Sequence, residues 1–167
     1  MITAAVVTAS DTRARHDDAS GNLPFEGLVG AGLRVVDRRI VHDDLDALCA
    51  AVRAAIAAGA DVVLVTGGTG VAPRDVTPEA LEALGGRVLP GFGEAFRALS
   101  FDRVGPPALL SRAVCVTLGR SVVYALPGSP DACALALNEL IVPGVRHLLH
   151  HLRGGVSKRA AGGPARP

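Results

Sequence analysis

The chain's 167 residues fit one domain able to bury about two-thirds of its unfolded surface, and its 49% hydrophobic content rests on Ala, Val and Leu, with only 3% aromatic residues. Lys158 is the only lysine, which excludes a lysine-bearing phosphate loop and Schiff-base chemistry, so any phosphate site must use backbone N–H groups, arginine or a metal. With no tryptophan and one tyrosine the body offers no stacking platform for nucleic acid, and without a run of 18 apolar residues no membrane span is expected.

Residues 2–10 read as a buried strand that begins almost at Met1. That leaves no room for a signal peptide and predicts a cytoplasmic protein. The stretch 11–22, rich in Asp and Arg, predicts an exposed linker or a lid at an active edge. A helix is expected from about Asn22, closed by Gly32, and residues 35–41 read as a second strand. Over 44–59, Leu45, Leu48, Val52 and Ile56 recur at helical spacing, and Gly59 terminates the pattern. Residues 61–65 then form an apolar third strand that runs into Thr66-Gly67-Gly68-Thr69-Gly70.

Three glycines in four residues let backbone N–H groups approach a ligand and point the same way, which suits an anion such as phosphate. Thr77 reads as an N-cap with Pro78 at the first helical position, so a helix opens beside the loop. Asp75 lies between loop and helix, where it can hold a divalent cation against phosphate. A tight strand-to-helix turn with an ordinary cap would need neither three glycines nor the acid.

The second half changes character. A helix is expected over 91–100, with Phe92, Phe96 and Leu99 on one side. Residues 113–118 and 121–126 are short apolar strands joined at Gly119-Arg120, a two-residue hairpin turn. Ser129 caps a helix running to 140, and a last helix covers 144–152. There His147 and His151 have ligand spacing but no accompanying Glu or cysteine pair, which favours a solvated or oligomer-facing helix. Cys49, Cys115 and Cys133 show no pairing motif and read as buried free thiols in a reducing compartment. The domain is expected to span 1–152. The tail 153–167 carries Arg153, Lys158, Arg159 and Arg166 and no acid, is rich in Gly, Ala and Pro, and is expected to be disordered.

Alternation of strands and helices predicts a three-layer α/β/α domain with a mostly parallel sheet and a short antiparallel hairpin. Its strands' carboxyl ends would gather Ser10, Asp11, Asp43, the glycine loop and the 127–129 turn on one edge. Asp44, beside Asp43, reads as the N-cap of the next helix, and the sequence does not cleanly divide the two roles. Arg74 and Arg112 are candidates for bidentate phosphate contacts or for salt bridges to local acids.

Gly67-Gly68-Thr69-Gly70 followed by Arg74-Asp75-Val76-Thr77-Pro78-Glu79-Ala80 resembles the signature of the MoaB/Mog family of molybdenum-cofactor biosynthesis. Ser10-Asp11, Asp43-Asp44, Pro90-Gly91-Phe92-Gly93-Glu94, Leu110-Ser111-Arg112 and Leu126-Pro127-Gly128-Ser129-Pro130 match in the family's order. His42 replaces a proline usual before the first acid. The resemblance implies a molybdopterin adenylyltransferase: the terminal phosphate of molybdopterin attacks the α-phosphate of Mg-ATP, giving adenylyl-molybdopterin and pyrophosphate. It implies Asp43 and Asp75 as catalytic acids, with Asp75 on Mg2+. Substrate contacts would come from Ser10, Asp11, Gly67, Gly68, Thr69, Gly70, Arg74, Ser111, Arg112, Pro127, Gly128 and Ser129. A homotrimer or hexamer is implied, with the downstream molybdenum-insertion enzyme as a partner. A non-catalytic molybdopterin binder and an oligomeric scaffold of the same fold are the alternatives.

Overall fold

The computed structural model describes residues 1–11 and 19–155. In chain order the elements are β1 (Thr3–Ala9), α1 (Ala19–Gly30), β2 (Arg34–Val41), α2 (Leu45–Ala57), β3 (Val62–Thr66), α3 (Thr77–Ala83), β4 (Arg87–Val88), α4 (Pro90–Val104), a 3-10 turn (Pro106–Leu110), β5 (Val114–Leu118), β6 (Ser121–Leu126), α5 (Pro130–Ala136), a π-helical turn (Leu137–Ile141) and α6 (Val142–Leu152). The strands form one sheet in the order β2-β1-β3-β6-β5-β4. The first four are mutually parallel, and β5 runs antiparallel to both its neighbours.

Two apolar cores cover the sheet's two faces, which gives the expected three layers. On one face, Leu28 of α1, Phe96 of α4, and Cys133, Leu137, Ile141 and Leu149 of the C-terminal helices pack on Val6, Leu64 and Tyr124. On the other, Leu48, Val52 and Ala55 of α2 and Leu81 of α3 pack on Val7, Val65 and Val123. β3 is buried at every residue, as its unbroken apolar run requires of a central parallel strand.

Four expectations need correction. First, α1 begins at Ala19 and continues through Pro24. Asn22 lies inside the helix, and its Oδ1 accepts from the Arg38 guanidinium of β2 at 2.6 Å. Second, Thr77 is the first residue of α3, whose N-cap is Val76, and the Thr77 hydroxyl is turned to the glycine loop. Third, α5 and α6 are one continuous helix, Pro130–Leu152. The Val142 N–H reaches back five residues to the Leu137 carbonyl, and this wider turn lets the helix pass Pro143, which has no N–H to give. That helix is long and apolar enough to cross a membrane by length and composition alone. Its apolar side, however, is spent on the core through Leu135, Ile141, Val145 and Leu149. Fourth, Cys49 is half-buried, whereas Cys115 and Cys133 are buried, and none of the three is in a disulfide. Burial pushes the Cys115 thiol up to about 12, which leaves it an inert packing group.

The loop expected over 11–22 lies largely outside the described residues, as does most of the tail expected over 153–167. Of the latter, Arg153 is described and pairs with Asp61.

Candidate functional site

Parallel strands bring their carboxyl ends to one edge, and the chain passes from β1 outward to β2, then back across β1 to β3, so the strand order reverses there. Ligand crevices of open α/β sheets open at such a reversal. Ser10-Asp11 follow β1, Asp43 follows β2, the glycine loop follows β3 and the 127–129 turn follows β6. Because β5 is antiparallel, the residues before it, Ser111-Arg112, arrive at the same edge.

The glycine loop is held by its carbonyls. Gly67 O accepts from the Thr77 hydroxyl at 2.8 Å, and Gly68 O accepts from the Thr77 N–H at 3.0 Å. Thr69 O accepts from the Arg112 N–H at 2.8 Å, and Gly70 O from Arg112 Nε at 2.7 Å. With four consecutive carbonyls tied back, the N–H groups of Gly68, Thr69 and Gly70 make no hydrogen bond to any described residue. Successive unpaired N–H groups on one turn form an anion nest. Glycine is required here: Gly67 and Gly68 lie at φ +97° and +63°.

Arg112 therefore braces the loop, and it makes the salt bridge that the sequence offered as one of its two roles. Beyond Gly70, its guanidinium donates to the Asp75 carbonyl at 2.6 Å and pairs with the Glu79 carboxylate. The hydrogen bond from Arg112 holds the Glu79 carboxyl below its ordinary range. Arg112→Lys keeps the charge but not the fork. We expect it to lower stability by about 2 kcal/mol and to speed hydrogen exchange of the 68–75 amides. Unchanged exchange there would rule out the brace.

Two groups of side chains flank the loop. On one side lies an open cavity of about 500 Å³, into which Gly68, Thr69, Gly70, Asp75, Ser111, Pro127, Gly128 and Ser129 all face. Ser129 also caps α5, accepting from the Ala132 N–H. The two glycine turns touch: a Cβ on Gly128 would sit 3.4 Å from the Gly67 Cα. The far wall comes from Phe96, Ser100 and Arg103 of α4, with Leu110, Asp131 and Leu135. Sequence reasoning missed this wall. Its signal was present, since residues 96, 100 and 103 share one helical face.

On the other side stand Asp43 and Asp11. Asp11 Oδ1 accepts from the Asp43 N–H at 3.1 Å and lies 3.3 Å from His42 Nδ1. The adjacent acids now separate cleanly. Asp44 caps α2, accepting from the Ala47 N–H at 2.9 Å. Asp43 turns to the loop, with Oδ1 3.0 Å from where a Gly68 Cβ would lie. That oxygen is buried and has no hydrogen-bond partner among the described residues. Burial first, then the charges of Asp11 and Asp75, raise the Asp43 carboxyl above its ordinary range, while Arg74 and His42 pull it down.

Asp75 lines the cavity, and its Oδ2 accepts from the Ala72 N–H at 2.8 Å, so it also closes its own turn. Ser10 follows β1, its N–H on the Val41 carbonyl at 2.9 Å. Arg74 is exposed beside the acids. Ser10, Asp11, Asp43, Gly67, Arg74 and Arg112 stand outside the cavity wall.

Comparison with known proteins gives the family and the fold. A model of the probable molybdopterin binding domain matches residues 5–147. Molybdenum cofactor biosynthesis protein B of Staphylococcus carnosus is 44% identical over 154 residues, covering 90% of this chain and 91% of that protein. The crystal structure of the tungsten cofactor synthesizing protein MoaB from Pyrococcus furiosus superposes with a TM-score of 0.83 at 40% identity, covering 91% of this chain and 97% of that one. The molybdopterin biosynthesis Mog protein from Mycobacterium ulcerans has a TM-score of 0.83 at 32% identity, covering 92% and 97%. The chain belongs to the MoaB/Mog family of molybdenum-cofactor biosynthesis proteins.

Proposed function

We propose that the chain adenylylates molybdopterin at the expense of Mg-ATP, releasing pyrophosphate. The observation that carries this reading is the glycine loop: three consecutive N–H groups without partners among the described residues, beside a cavity large enough for a cofactor-sized ligand. Those donors would bind phosphate oxygens and hold them in line with the attacking group, so catalysis is positioning and charge stabilisation without a covalent intermediate.

The acids fit a divalent cation. Asp43 presents a buried carboxylate oxygen with no hydrogen-bond partner among the described residues, and burial first, then the charges of Asp11 and Asp75, raise its carboxyl above the ordinary range. Asp75 would hold Mg2+, which when bound neutralises charge developing on the phosphates, and Asp43 would orient the reacting group. Gly128 and Ser129 line the same cavity beside the nest, where the pterin would lie. Phe96 and Leu135 supply an apolar wall for it, and Arg103 supplies a cation that makes no ion pair with a described residue. Exposed Val104, Leu109 and Leu110 beside this wall support assembly into a homotrimer or hexamer, which sedimentation equilibrium distinguishes. Such an assembly would hand its product to the downstream molybdenum-insertion enzyme.

The test is pyrophosphate release by the full chain. Release that requires ATP, Mg2+ and molybdopterin together is the expected result. Tight molybdopterin binding with no release would overturn the enzyme and leave a carrier of the same ligand.

A further inference from the structure

The C-terminal helix carries two imidazoles whose geometry the reaction does not use. His147 and His151 are exposed on α6, one turn apart on the same face. Their Nε2 atoms lie 3.2 Å apart, with the rings nearly perpendicular at an 82° interplanar angle and centroids 4.4 Å apart. Two nitrogens each 2.0–2.1 Å from a tetrahedral metal ion stand about 3.3 Å apart. We propose that His147 and His151 form a bidentate site for one transition-metal ion of the nickel, copper and zinc class.

Imidazole nitrogen selects this class over magnesium or calcium, which take oxygen ligands. Seating the ion moves the ring centroids to about 5 Å. That is a small outward swing, and exposed side chains make it freely. Without metal, one ring donates to the other across the 3.2 Å gap, so the ion replaces a single solvent-exposed hydrogen bond. His150 does not converge on the pair: it faces a separate pocket with Ile2, Arg146 and Arg153, and its ring centroid is 5.8 Å from that of His151. Among the described residues no third His, Cys, Asp or Glu completes a cluster, so the remaining coordination positions face water or a ligand from outside.

The site is remote from the glycine loop. The continuous helix starts at the active edge with Ser129 and runs 23 residues, roughly 35 Å at 1.5 Å per residue. Its last turn reaches the opposite edge of the sheet, where Arg153 meets Asp61 just before β3. Metal bound here therefore leaves the nucleotide site free, and the two can be measured separately.

The experiment is calorimetric titration of Ni2+ into the untagged full chain, with millimolar Mg2+ present to occupy oxygen-ligand sites. His147→Ala, His151→Ala and His150→Ala are measured alongside. The expected result is one saturable Ni2+ per chain, weakened about tenfold or more by either His147→Ala or His151→Ala and changed less than about twofold by His150→Ala. Wild-type binding weaker than ~0.1 mM, binding that survives both first variants, or an equal loss in His150→Ala would each overturn the proposal. Circular dichroism on each variant confirms that α6 is intact.

Discussion

Asp43→Asn should cut pyrophosphate release by about a thousandfold, roughly 4 kcal/mol of transition-state stabilisation, without lowering the melting temperature. The two halves of this result have one cause. Asp43 is a partly desolvated carboxylate with Asp11 and Asp75 nearby, so the fold tolerates its charge rather than gaining from it. Its folded pKa lies above its unfolded value. The folded state therefore binds the proton more tightly, and stability falls as pH rises through the window from the ordinary carboxylate value to the raised one. Above that window the amide removes a destabilising charge, and a small gain in stability is expected. Asp44→Ala should do the reverse, with a loss of about 1 kcal/mol from the α2 cap and turnover within a few-fold of wild type. The same electrostatics places the acid limb of the activity profile. If the ionised Asp43 is the working form, activity falls at a higher pH than for an ordinary aspartate. Asp11→Asn, which removes one of the raising charges, moves that limb down. A limb that stays put would disconnect Asp43 from the observed titration.

The second large effect is steric. A Cβ on Gly67 would stand 2.5 Å from the Ala9 carbonyl oxygen, and Gly67 has φ +97°. Both partners are backbone at the ends of adjacent central strands, so neither can swing away. Gly67→Ala is expected to cost about 4 kcal/mol, lowering the melting temperature by roughly 10 °C. Gly59 separates conformation from contact, because it has φ +91° with nothing within 4 Å of where a Cβ would stand. Gly59→Ala should cost only the backbone strain, about 1–2 kcal/mol. Equal losses at the two sites would show that close approach at Ala9 contributes nothing. Gly128→Ala meets only ordinary contact and should leave stability almost unchanged.

What was legible in the sequence followed from periodicity and from punctuation. β3 is a run of apolar residues ended by glycine, α2 has helical spacing between Asp44 and Gly59, and the hairpin turns at Gly119-Arg120; all three fall where the pattern puts them within a residue or two. Alternation then dictates which edge holds Asp43 and the glycine loop. The less legible parts depend on partners distant in the chain. α1 starts at Ala19, ahead of the expected start near Asn22, and Asn22 instead meets Arg38 of β2. β4 is only two residues long and exists because Thr117 and Val116 offer it a sheet edge. The helix crosses Pro143 because one π-helical turn precedes it, which no propensity announces. Arg112 could be read equally as a phosphate ligand or as a salt-bridge partner, since residue type alone does not say where a guanidinium finds its acceptors.

The antiparallel course of β5 has a consequence for how the protein comes into being. It returns Ser111-Arg112 to the edge already formed by β1, β2 and β3, and Arg112 ties down Thr69 and Gly70 across more than 40 positions of sequence. Gly67 in turn hangs its N–H on Leu126 of β6. A nascent chain that has emerged through α3 thus owns the glycine motif but neither of the clamps that shape it. Contacts of such sequence separation form late in folding, so anion affinity should arise abruptly, once β6 has paired, rather than grow with chain length.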